Sequence, residues 1–130
     1  MTYAEFQERW EAGAKAELAR YDAMPFAELL SRIQDRRLGD YYTIWSAMAK
    51  RASLAETAWL LFEVLESDLD YFHRYHCADA LLMLAGLDDP SHDAAHYSAR
   101  EVYDVAENLQ RLSHLVAERM EPGTRPQDPP

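Results

Sequence analysis

Between one turn signal and the next, the apolar residues of this chain recur at steps of three and four. No run of four to eight residues alternates cleanly with β-branched side chains, so the sequence offers no credible strand. Phe6, Trp10, Ala14 and Leu18 fall on one helical stripe behind Thr2-Tyr3-Ala4-Glu5, which has the spacing of a capping box. A second helix opens at Pro25 and carries Phe26, Leu29, Leu30 and Ile33 to Gly39. Asp40 is the expected cap of a third, from Tyr41 to about Lys50. Ser53-Leu54-Ala55-Glu56 opens a fourth through Leu65, and the acidic turn Ser67–Asp70 leads into a fifth that ends near Leu84, with Gly86 as its closure.

Asp89-Pro90 is the expected start of a long last helix. Its seam is Ala95, Ala99, Val102, Ala106, Leu109, Ser113, Val116 and Met120. The expected fold is all-α: five or six helices as stacked antiparallel hairpins or an irregular bundle, with a long C-terminal helix. One domain is expected over residues 1–120. The segment 121–130, with four of the six prolines and no apolar anchor, is expected to be a disordered tail.

At 130 residues, 48% hydrophobic, the chain can build a core without staples. Its single cysteine, Cys77, cannot form an intramolecular disulfide, and no apolar run reaches membrane-span length. The first residues lack the basic and apolar regions of a signal peptide, so the expected compartment is the cytoplasm. A formal net charge of −10 repels nucleic acid and anionic lipid. Acid is concentrated over Glu63–Asp93, which balances at −7, with clusters at Glu66–Asp70 and Asp88–Asp93. If those loops lie at one end, they form a rim that steers a basic partner. Arg32–Arg51 runs the other way, at +3, and could complement the acidic segment of a second copy.

A shift of 31 residues superposes Leu29-Leu30-x-x-Ile33 on Leu60-Leu61-x-x-Val64, Tyr41 on Phe72 and Ala47 on Ala78. Each block reads as two helices joined by a polar turn. The second block, with Leu61, Leu65, Asp68, Arg74, Ala78, Ala80 and Leu81, resembles a HEAT-like helical repeat over residues 59–86. The first block departs from the pattern, with Thr43 in place of the arginine. The resemblance implies a protein-binding scaffold more readily than an enzyme. A plain helical bundle is the competing arrangement.

Several residues are candidates for function. Phe72, His76, Asp79 and Met83 share one strip of the fifth helix, and mixed aromatic and polar groups suit a binding face. A second buried face is the other reading of that strip. Tyr41, Tyr42 and Trp45 crowd within one and a half turns and cannot all face one core stripe, so they join the protein-binding candidates. Structural roles fall to Cys77, as a buried small hydrophobe, and to Arg74, whose guanidinium would tie down the acidic turn. No nucleophile elbow, phosphate loop or His-Glu-x-x-His motif is present, and no cofactor is implied. The alternative to a binding scaffold is a metal-dependent enzyme or metal sensor. Its ligands would be His73, His76, His92 and His96, of which His92 and His96 are spaced for one helix face. The expected function is a non-enzymatic scaffold that binds a protein partner or a second copy through helix faces and an acidic surface.

Overall fold

The computed structural model describes residues 1–98 and 105–120. The expected tail, and Ala99 and Val102 of the expected seam, lie outside the described residues. Seven helices and no strand occur among those described. They are α1 (Tyr3–Asp22), α2 (Phe26–Gln34), α3 (Thr43–Ala49), α4 (Leu54–Glu66), α5 (Tyr71–Leu84), α6 (Ala94–Ser98) and α7 (Val105–Arg119). They fall into two compact units, residues 1–51 and the described residues from Ala52 onward.

In the N-terminal unit α3 packs on both α1 and α2. Thr2 caps α1, its hydroxyl accepting the Glu5 amide at 3.1 Å. Helix α2 ends at Gln34, five residues before the expected glycine. Arg36 takes the left-handed closing position at φ 58°, and the Arg37 amide reaches back to the Arg32 carbonyl at 2.8 Å.

The start of α3 also departs from expectation. Asp40 does not cap it; the residue before α3 is Tyr42, at φ 62°. The connection is held instead by Glu17 of α1, which is 1% exposed. Its carboxylate accepts the Asp40 amide at 2.6 Å, the Tyr41 amide at 3.1 Å and the Thr43 hydroxyl at 2.7 Å. Buried charge is tolerated when its lone pairs are filled in this way. Two glycines make room for the contact. A Cβ on Gly39, already at φ +75°, would stand 1.8 Å from a Glu17 oxygen, and one on Gly13 would stand 2.2 Å from the Tyr41 hydroxyl. The buried line of α1 therefore runs through Glu17 and Tyr21, and the expected Phe6/Trp10 end of the stripe stays uncovered.

In the second unit each helix packs on its predecessor: α5 on α4, α6 on α5, and α7 on α6. Ser53 and Glu56 form a complete capping box at α4, and Asp70 caps α5 by accepting the His73 amide at 2.9 Å. The thiol of Cys77 donates to the Leu61 carbonyl at 3.3 Å, which pairs the middles of α4 and α5 in an antiparallel hairpin. Gly86 closes α5 at φ 71°. The core of this unit includes Leu60, Leu61, Val64, Leu81, Leu82, Leu112 and Val116.

Two expectations for the C-terminal part are corrected. Asp89 and Pro90 form a turn, and Asp93 stands at the start of α6, its carboxylate accepting the Ala95 amide at 2.9 Å. One continuous helix would hold residues 96 and 108 about 18 Å apart. The Asn108 side chain instead donates to the His96 carbonyl at 3.3 Å, so α6 and α7 pack on each other and are not collinear. On α7 the expected seam residue Val116 is buried together with Leu112, which lay outside that seam, whereas the seam residues Ala106 and Ser113 are exposed.

Candidate functional site

Large apolar side chains left in solvent locate the candidate surfaces. They are Met1, Tyr3, Phe6 and Trp10 at the start of the chain, and Tyr71, Phe72 and Met83 on α5. Isolated exposed hydrophobics carry no message, but contiguous ones mark interaction sites.

On α5 the steps from Phe72 to His76, Asp79 and Met83 are four, three and four, which keeps all of them on one face. Phe72 is 58% exposed and Met83 48%, Asp79 is exposed and His76 half-buried, so the second-buried-face alternative does not describe this strip. The ring of Phe72 meets Tyr71 edge-on with centroids 5.5 Å apart. Tyr75 continues the cluster, 6.1 Å from Tyr71 and 5.6 Å from His76. Tyr71 and Tyr75 were not among the sequence candidates, although their spacing of four was the available signal. Burial holds the pKa of His76 below its ordinary value, with Asp79 pulling the other way.

On α1, Tyr3, Phe6, Gln7 and Trp10 line a recess of about 310 Å³. Phe6 and Trp10 lie 6.3 Å apart, and Trp10 meets Tyr41 edge-on at 4.8 Å. Tyr41 and Tyr42 are half-buried. Trp45 is 1% exposed and is withdrawn from the binding set, because α3 packs on two helices and encloses the ring.

Arg74 is 4% exposed. Its Nε donates to the Leu69 carbonyl at 2.7 Å, and a terminal nitrogen donates to the Ser98 carbonyl, so it joins the acidic turn to the end of α6. Cys77 is fully buried. The two acidic loops do not share an end: Glu66–Asp70 precedes α5 and Asp88 and Asp89 follow it, with a helix roughly 20 Å long between.

Among the described residues no three His, Cys, Asp or Glu side chains converge as metal ligands. His73, His76, His92 and His96 are all described and form no such group. Likewise, no helix among them is long and apolar enough to cross a membrane. No family model, curated protein or solved structure matches the chain.

Proposed function

We propose that this protein is a non-enzymatic helical scaffold that binds a protein partner, with the α5 face as the main contact. The observation that carries the reading is that, among the described residues, the exposed large apolar side chains gather on α5 and at the start of the chain. A face with Phe72 and Met83 at its ends and His76 and Asp79 between them offers desolvation together with directional hydrogen bonding. The stepwise packing of α4 through α7 is consistent with the stacked hairpins of a HEAT-like scaffold. Acid spread along both ends of α5 favours a basic partner surface.

The test is capture from native extract by the full chain, compared with Phe72→Ala/Met83→Ala and, separately, Phe6→Ala/Trp10→Ala. The α5 pair should lose its bound protein while helix content and unfolding midpoint stay close to the parent. Capture that survives both double substitutions removes the support for binding through these faces. Light scattering in parallel distinguishes a foreign partner from a second copy, which would double the mass.

A further inference from the structure

The chain carries 13 basic residues against 23 acids, yet three arginines meet at one recess of the N-terminal unit. Arg20 from the last turn of α1, Arg32 from the last turn of α2, and Arg37 just beyond it line a cavity of about 340 Å³, with Tyr21, Met24, Leu38 and Gly39. Two arginines at helix C-termini would by themselves be explained by the helix dipole. The pattern of hydrogen bonding goes further. Arg20 forms no hydrogen bond or ion pair among the described residues. Among the described residues Arg32 has an ion pair with Glu28 alone, at the long distance of 3.8 Å. Arg37 uses one nitrogen on Asp35, at 3.2 Å.

The neighbouring acids are largely engaged elsewhere. Glu17 is filled by the amides and hydroxyl of the connection to α3, and Asp22 pairs with Lys50 at 2.9 Å. Burial, and after it the Glu17 carboxylate, hold the pKa of the Tyr21 hydroxyl above its ordinary value, while Arg32 and Arg20 pull it down.

We propose that this recess binds the phosphate group of a small phosphomonoester, held by Arg20, Arg32 and Arg37, with the organic part against Met24 and Leu38. A carboxylate offers two oxygens, too few for three guanidinium forks, whereas a phosphate presents oxygens in three directions. This site is separate from the α5 face and does not depend on it.

Calorimetric titration of the full chain at low ionic strength, with inorganic phosphate and with phenyl phosphate, tests the assignment. Both should bind saturably at one site, the ester more tightly. Arg20→Gln and Arg37→Gln should each weaken binding about tenfold, as loss of a charged hydrogen bond predicts. Both side chains are exposed, so circular dichroism of the variants should match the parent. Arg32→Lys, which keeps the charge and loses the fork, should weaken binding as well. Absence of saturable heat, or equal affinity in the Arg20→Gln/Arg37→Gln double variant, overturns the site. Ester binding no tighter than inorganic phosphate overturns the role of Met24 and Leu38.

Discussion

Glu17 is the side chain on which the N-terminal unit most depends. It sits among exposed acids on α1, and nothing in its local sequence separates it from Glu5, Glu8 or Glu11. Only the arrival of a segment 23 to 26 residues later makes it interior. Glu17→Ala would strip an acceptor from two amides and a hydroxyl, at a cost of about 2–4 kcal/mol in urea unfolding. A loss below about 1 kcal/mol would show that water replaces the carboxylate. His76 sets a different dependence. Burial lowers its pKa in the folded chain, so as pH falls below the ordinary value near 6.5 the unfolded chain takes up the proton first. The stability tied to neutral His76 is therefore complete above that pH and is lost as pH falls through the folded value. Urea midpoints measured from pH 7.5 to 5 should decline, and His76→Gln should flatten the decline.

At the level of helices, the caps were the legible part. Thr2, Ser53 with Glu56, Asp70 and Gly86 each carry their signal within four residues, and each helix they bound lies within about one residue of its expected limits. Where a distant group does the capping, local pattern gives nothing. Asp40 looked like a cap because the reading had no means of placing Glu17 beside it. The α7 seam held only in part for another reason: Val116 of that seam is buried with Leu112, which lies on the adjoining stripe, while Ala106 and Ser113 stay exposed, and alanine at helical spacing suits either stripe. The candidate α5 strip could be drawn on a wheel, but its exposure depended on which side α4 and α6 take. Leu112 is fully buried, so Leu112→Ala should cost about 2–5 kcal/mol in chemical unfolding. Leu109→Ala, at a half-buried position on the same helix, should cost less. Equal losses would contradict the assigned face.

For the whole molecule the governing quantity is charge. A net −10 on 130 residues produces self-repulsion that opposes compaction. The ion pairs Arg32–Glu28, Arg37–Asp35 and Lys50–Asp22 are solvent-accessible and contribute little to offset it. Screening the repulsion should therefore raise the melting temperature as sodium chloride goes from 20 to 200 mM. A fall over that range would mean that attractive pairs dominate the balance.

The reach of Glu17 also fixes an order of events. Helix α1 is built from contacts between near neighbours, whereas the carboxylate meets its three donors only after a loop of more than twenty residues has closed. Those bonds should therefore form late in folding and break early in unfolding. On that expectation Glu17 would work as a latch, setting how long the N-terminal unit stays shut more than how quickly it assembles.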